Sequence, residues 1–380
     1  MRVMGEGTVP SWHLAAKVTW LPAAEVVVSS GALIEAYERF HDTGPEWGAD
    51  QLTNHGPMAV EVLVRRGRPE VVPGWVDRYI GRLDELPRPS AEITDETWQD
   101  ALGDGRRIGD WSAYFGRQLA GQPWQTVLAT WWERLLPGIV AGATHGVIRT
   151  GHVVRTLLTG DEPQPVLEEL GHALAFWAAR ARPMPYAAGP SGGLDPLAAL
   201  DAIPRIPSQQ GNLATRFGQL TEESGWPASV GRLRPAATPE EVETRLGDLV
   251  AAAALRYLSH GHGQPVLLVH TATAPNAVLH TLPALPRRLW EPSLAAVWSA
   301  SAAIFAAYAP RESAEPTPPG PLAAPGPDAV PDVVDRAVDH GDEHVIKFTD
   351  TAAEAYARTG QADILAAALR AGTLIQSPNS

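Results

Sequence analysis

Apolar residues return every three or four positions along most of this chain, and runs that alternate strictly between apolar and polar are scarce. That periodicity predicts an all-α fold, a single large multi-helix domain with long Pro/Gly-rich loops. Helices are expected over 31–40 (GALIEAYERF), over 54–66 with Asn54 as its cap and Pro57 in its first turn, and over 73–83. Past a Pro/Ser break at 87–90, two more are expected at 94–102 and 111–119, on either side of Gly103, Gly105 and Gly109. From Pro123 to Leu158 the pattern is almost continuously helical, interrupted by Pro137 and by glycines at 138, 142, 146 and 151. Residues that small let neighbouring helices approach closely, as a core packed around a site requires. Another amphipathic helix is expected from Val166 to Arg180.

Periodicity fails between 183 and 213, a stretch rich in Pro, Gly and Ser. A loop this long in a compact protein usually carries function, and a lid is the expectation. Helical pattern resumes at 239–259, capped by Thr238 with Glu240 and Glu241 in its first turn, and continues at 265–281 and 291–308. A Pro-rich linker at 310–331 precedes closing helices near 331–340, 342–359 and 361–371. The expected organisation is an N-terminal extension, 1–28, followed by one helical domain, 29–375. Nothing repeats at a fixed period, which disfavours a solenoid.

Composition narrows the partners. The chain has 380 residues, 44% of them apolar, enough to bury a substantial core. A formal charge of −13 opposes binding to nucleic acid or anionic membranes. The one short basic patch, Arg65, Arg66 and Arg68, reads as a solvated helix end. No run approaches the roughly 20 apolar residues of a membrane span, so a soluble protein with no membrane partner is expected. Met1 to Glu25 lacks the basic start and continuous apolar block of a secretory signal. With no cysteine there is no disulfide framework, and a cytoplasmic location fits. The sequence is silent on oligomeric state.

Without cysteine, any softer metal site must be built from imidazole and oxygen, and imidazole suits iron, zinc, copper and nickel alike. Four histidines, His55, His145, His270 and His344, sit in short segments that each read as helix or helix edge among apolar and small residues. His344 and Lys347 are three residues apart, so a helix points both at the same spot. A lysine aimed at a histidine cluster must be neutral, modified or turned away, because an ammonium beside a cation is repelled and loses its proton. His145 shares a face with Arg149, which is placed to orient an anionic partner or a substrate oxygen. His152 lies two turns beyond His145, about 10 Å along the axis, the distance of a pocket residue rather than a ligand. His172, His260, His262, His280 and His340 are weaker candidates. Ser259-His260-Gly261-His262-Gly263 reads as a loop before Pro265.

Four segments, NHGPMAVEVL at 54–63, HGVIRTGHVVRTL at 145–157, LLVHTATAPNAV at 267–278 and EHVIKFTDTAAEAY at 343–356, together resemble the questin oxidase-like family. The resemblance covers roughly residues 30–360. It implies a non-haem iron oxygenase of aromatic polyketide metabolism that acts on anthraquinone-type rings, cleaving one by oxygen insertion of Baeyer–Villiger type. The implied metal set is Fe(II) held by His55, His145, His270 and His344, with Lys347 carboxylated on its amine by CO2. Oxygen is the co-substrate, and NADPH or another external reductant would supply electrons where they are needed. Lys347, Arg149 and His152 would be the catalytic residues around a small polycyclic aromatic substrate. Fungal members of the family have a second histidine where this chain has Arg149 and a tyrosine where it has His152, which leaves the metal set intact and the substrate open.

Physical chemistry makes the carbamate reasonable. A lysine desolvated among imidazoles loses its proton, the free amine adds CO2, and the product is a carboxylate that binds iron. Four neutral imidazoles and one carbamate would leave an octahedral centre one vacant position, with the ring beside the metal in a water-excluding pocket. Trp111, Trp131, Trp132, Trp177 and Trp298 are available to line such a pocket, although most aromatics are core. Two rival chemistries remain: a zinc-dependent hydrolase using the same site, and a non-catalytic helical protein that binds an aromatic ligand. A flavin or nicotinamide enzyme is disfavoured. Gly5-Glu6-Gly7 lacks a third glycine, and Gly103-Asp104-Gly105 lies between helices. The Gly189-Pro190-Ser191-Gly192-Gly193 match lies inside the long loop rather than between a strand and a helix.

Overall fold

The computed structural model describes residues 31–49, 51–184, 189–223, 225–314 and 329–378. The expected N-terminal extension, Gly5-Glu6-Gly7, residues 185–188 of the long loop and most of the Pro-rich linker lie outside them. Among the described residues there are seventeen α-helices and a single two-stranded sheet, an all-α fold. The chain opens with α1 (Gly31–Phe40), then the short antiparallel strands β1 (Glu46–Trp47) and β2 (Leu52–Thr53), paired Glu46 to Thr53 and Trp47 to Leu52. That hairpin delivers Asn54 to the start of α2 (Gly56–Arg65), which α3 (Val72–Ile80) follows. A single turn, α4 (Trp98–Ala101), precedes α5 (Ile108–Gly121), α6 (Trp124–Leu135), α7 (His145–Leu157) and α8 (Gln164–Arg180). Three short helices come next, α9 (Pro196–Asp201), α10 (Leu213–Glu222) and α11 (Trp226–Val230). The long central pair α12 (Pro239–His260) and α13 (Pro265–Thr281) leads to α14 (Trp290–Tyr308), α15 (Ala329–His340), α16 (Glu343–Thr359) and α17 (Ala362–Leu374).

Three differences from the sequence pattern have local causes. The almost continuously helical stretch expected over 123–158 is broken at 136–144, beginning at Pro137 as the pattern suggests and extending to Gly142, Ala143 and Thr144, which take successive positive φ angles of 51°, 56° and 72°. For the two residues with a Cβ this costs roughly 1–2 kcal/mol each. Phe176 packs so closely on Gly142 that a Cβ there would sit 2.7 Å from the ring. The long loop is also less irregular than its composition suggests. Ala199 and Leu200 of α9 are fully buried, and the Ile206 amide donates to the Ala306 carbonyl of α14 at 3.1 Å. Finally, the basic patch is not freely solvated: Arg65 pairs with Glu354 at 3.0 Å, Arg66 with Asp350 at 2.6 Å and Arg68 with Asp335 at 2.5 Å.

At the centre, α2, α7, α13 and α16 pack in a ring, each against the next. α13 is apolar on all sides and buried from Leu268 to Thr281. Pro275 lies inside it and leaves the Thr271 carbonyl without its helical donor, a role that the Ser301 hydroxyl of α14 takes over at 3.3 Å. α7 is wedged against its neighbours by glycines: a Cβ on Gly146 would lie 2.7 Å from Trp177, and one on Gly151 would lie 2.6 Å from Ala277. The tryptophans available for a pocket are core instead. Trp111, Trp131, Trp132, Trp177 and Trp298 are all at most 1% exposed. Trp111 and Trp131 meet edge to face at 5.2 Å, as do Trp132 and Trp177. The indole N–H groups of Trp132, Trp177 and Trp298 donate to Ser293, Gly138 and Val230. No helix among the described residues is long and apolar enough to cross a membrane.

Candidate metal centre

Each helix of the ring brings one histidine to the same end. His55 is the N-cap of α2, His145 the first residue of α7 and His344 the second residue of α16, while His270 lies one and a half turns into α13. Local capping fixes the first and last of these. The Asn54 side-chain oxygen accepts the Gly56 amide at 2.9 Å while its amide group donates to Thr43 and Gly44, and the Tyr79 hydroxyl accepts the His55 amide at 2.7 Å. Asp342 caps α16 by accepting the His344 and Val345 amides at 2.8 and 3.2 Å.

One ring nitrogen from each of His55, His145, His270 and His344 falls within 4.8 Å of the other three, and all four residues are buried. His145 Nε2 stands 2.7 Å from His55 Nε2 and 3.0 Å from His270 Nε2. The His344 ring centroid is 4.4 Å from that of His55 and 5.8 Å from that of His270. Three of the opposite nitrogens face oxygen atoms, and that of His270 is buried without a hydrogen-bond partner among the described residues. His145 Nδ1 meets the Gly142 carbonyl, His55 Nδ1 lies 3.7 Å from Glu343, and His344 Nδ1 lies 3.4 Å from Asp342. A carbonyl can only accept, so His145 carries its proton on Nδ1 and offers a single lone pair at Nε2. Two imidazole nitrogens crowd that one lone pair. A shared cation resolves the crowding, and outward N–H groups held by carboxylate or carbonyl oxygens are the usual support of metal-bound histidine. The four histidines therefore form a buried group that can hold a metal ion.

Lys347 belongs to the same place. It is 2% exposed, and its Nζ has no hydrogen-bond partner among the described residues. Burial pulls its ammonium down to about 7, against the opposing pull of Glu343 and Asp342. Burial also holds His55, His145 and His270 well below the usual histidine range, with Lys347 the next cause for His55 and His145 and His145 the next for His270. The site thus favours neutral nitrogen. Three helix N-termini converge on it, and their partial positive charges disfavour an ammonium and favour an anion. Thr273, one turn beyond His270, adds a buried hydroxyl without a hydrogen-bond partner among the described residues.

The structure gives Arg149 and His152 other partners than a substrate. Arg149 is buried and doubly bonded to Glu169 of α8, with one contact at 2.7 Å. His152 is also buried, 2.8 Å from Glu61 of α2. Burial alone would raise the Glu61 carboxyl, but Arg155 and His152 overcome it and hold it at about 2. Burial, followed by the Arg155 charge, pushes His152 down to about 4. This second polar layer continues through Arg155 to Asp350 at 2.7 Å, and through Glu354 to Asn276 at 2.8 Å and His280 at 2.7 Å. Its members lie six to ten residues beyond the histidines on the same four helices. The four helices therefore run side by side in one direction away from the histidine cluster. The sequence reading missed Glu343, Asp342, Glu169 and the Glu61 layer; the only available signal was acidic residues inside otherwise apolar helical runs. Of the weaker histidines, His260 bonds Ser259 at 2.8 Å and His340 the Ile375 carbonyl at 3.1 Å. No protein-family model matches this chain, and no curated protein matches it.

Proposed function

We propose that the chain is a non-haem Fe(II) oxygenase of the questin oxidase-like type, acting on a polycyclic aromatic of the quinone class. The observation that carries the reading is a lysine amine, buried and unpartnered, beside four converging imidazoles. An amine pulled toward neutrality can attack CO2: the nitrogen lone pair forms an N–C bond, one proton leaves, and Lys347 becomes a carbamate. That anion would satisfy the orphaned Nζ, suit the positive helix ends and add one oxygen ligand to the nitrogen set. Imidazole combined with one oxygen anion and an open position is the ligand pattern of non-haem Fe(II) oxygenases. Bound iron would supply the one-electron chemistry that oxygen needs to react with an aromatic ring.

The chain's own residues do the rest. The Gly142 carbonyl orients His145, the Glu343 and Asp342 carboxylates stand 3.7 and 3.4 Å from the outer nitrogens of His55 and His344, and burial of all five side chains keeps water out. Arg149 and His152, tied to Glu169 and Glu61, are positioning residues that fix α7 against α8 and α2. The test is to load the protein with Fe(II), supply CO2 and an anthraquinone or its hydroquinone, and follow oxygen uptake and product mass under 18O2. Uptake with heavy oxygen in a ring-opened or ring-expanded product is the expected result. A zinc-loaded form that turns over esters without consuming oxygen would replace this reading with the hydrolase.

A further inference from the structure

On the far side of α8 from the histidine cluster lies a second feature that the oxygenase reading does not use. α8 presents Glu169 and Trp177 to α7 and Phe176 to Gly142 in the turn before it. Its other stripe, Gln164, Leu167, Glu168, Gly171 and His172, faces α5 across a cavity of about 250 Å3. The walls are mostly apolar, with Pro87 and Pro89 closing one side and Leu119 another. Beside Gly116 the space is empty, since a Cβ built there meets nothing within 4 Å.

The polar groups gather at one edge. Glu168 accepts from Gln164 at 3.0 Å, and its other oxygen lies 3.2 Å from His41 Nδ1. The His172 ring stands edge to face with His41 at 5.2 Å, and neither of its nitrogens has a hydrogen-bond partner among the described residues. Burial first, then the Arg149 charge, pushes His172 down to about 3, so it is a neutral imidazole with a lone pair to offer. The Glu168 carboxylate keeps further lone pairs beyond those two contacts, and neutral His172 offers one lone pair beside its one N–H, so this edge of an apolar cavity can accept from a donor and repels an anion. The volume is below that of a drug-sized pocket, which limits the occupant to about one or two fused rings.

We propose that this cavity is a metal-independent binding site for a small aromatic molecule bearing an O–H or N–H donor, held apolar side inward with its donor on Glu168 and His172. The site is built without any residue of the histidine cluster, so it stands or falls apart from the oxygenase reading.

The experiment titrates the full chain, treated with chelator to remove metal, with 1-naphthol and with 1-methoxynaphthalene, a probe of the same rings that cannot donate. Calorimetry is expected to show saturable binding of 1-naphthol and about tenfold weaker binding of the methoxy probe. Gly116→Trp, which fills the empty space from an exposed helix position, is expected to abolish binding, and Glu168→Gln to weaken it by about tenfold. Both variants change surface positions, and an unchanged melting temperature verifies that each is folded. No saturable binding, equal affinity for the two probes, or wild-type affinity in Gly116→Trp would each overturn the proposal.

Discussion

Nε2 of His55 stands 2.7 Å from Nε2 of His145, while the far nitrogens of the two rings face the Glu343 carboxylate and the Gly142 carbonyl. Both rings are therefore turned so that their inner nitrogens meet. If a cation belongs between them, His55→Ala and His145→Ala each lose stoichiometric metal, measured by elemental analysis of the purified protein. Chelation should lower the wild-type melting temperature, because a ligand bound only to the folded state adds RT ln(1 + [L]/Kd) to stability. Glu343→Gln keeps the ring but weakens its support, and about 10–100-fold weaker metal binding is expected. Full metal content in either alanine variant would remove the basis for a shared site.

Lys347 and His344 lie one turn apart on α16; Asp342 stands 3.4 Å from His344 Nδ1, while the buried lysine Nζ has no hydrogen-bond partner among the described residues. Lys347→Ala is expected to lose turnover and to recover part of it when acetate or propionate is added, since a small carboxylate can take the place of the carbamate. Wild-type protein prepared in CO2-depleted buffer should show the same deficit and recover with bicarbonate. Carbon-13 bicarbonate should give a carbamate signal in the wild type that Lys347→Ala lacks. Normal activity in Lys347→Ala without added carboxylate would end the carbamate role.

The four histidines and the lysine were visible in the sequence because each sits in an apolar helical run where a polar side chain needs a reason. Three of their helices were visible too, since α2 and α13 carry proline in their first turns and α16 is capped by Asp342. What could not be read is which polar residues face one another across helices. Glu61, Asp350 and Glu354 look like ordinary polar positions until the parallel packing brings them to Arg155, His152 and His280. Arg149 looked available for a substrate for the same reason, because its partner Glu169 lies on another helix. The break before His145 was also hidden: Ala143 and Thr144 have no local reason to be left-handed, and tertiary packing imposes it.

Arg155 is the hinge of the second polar layer. Its guanidinium reaches the buried Glu61, the buried Asp350 at 2.7 Å and the half-buried Glu354 at 3.7 Å. Arg155→Leu leaves those carboxylates without their common cation, and loss of one partner of a buried pair costs about 3–5 kcal/mol. Urea denaturation should show that loss as a lower midpoint. Because α2, α7 and α16 carry both layers, metal affinity should fall in the same variant. An unchanged midpoint would mean the layer is solvated rather than buried.

The same layer makes stability depend on pH in a direction that can be worked out. His152 is held at about 4 in the folded protein, against 6.5 for an ordinary histidine, so between those values the unfolded chain binds a proton that the folded chain refuses. Stability is then complete above pH 6.5 and falls as pH drops toward 4, by up to about 1.4 kcal/mol per pH unit from this one group. Glu61 adds to the loss below that. Its folded value of about 2 lies under the 4.5 of a free glutamate, so its contribution is present above 4.5 and disappears as pH falls toward 2. Urea midpoints measured from pH 7 to pH 4.5 should slope downward in the wild type, and His152→Gln should remove one proton's worth of that slope. A variant whose slope matches the wild type would show that His152 already binds its proton in the folded state, as a charged partner of Glu61 rather than a neutral one.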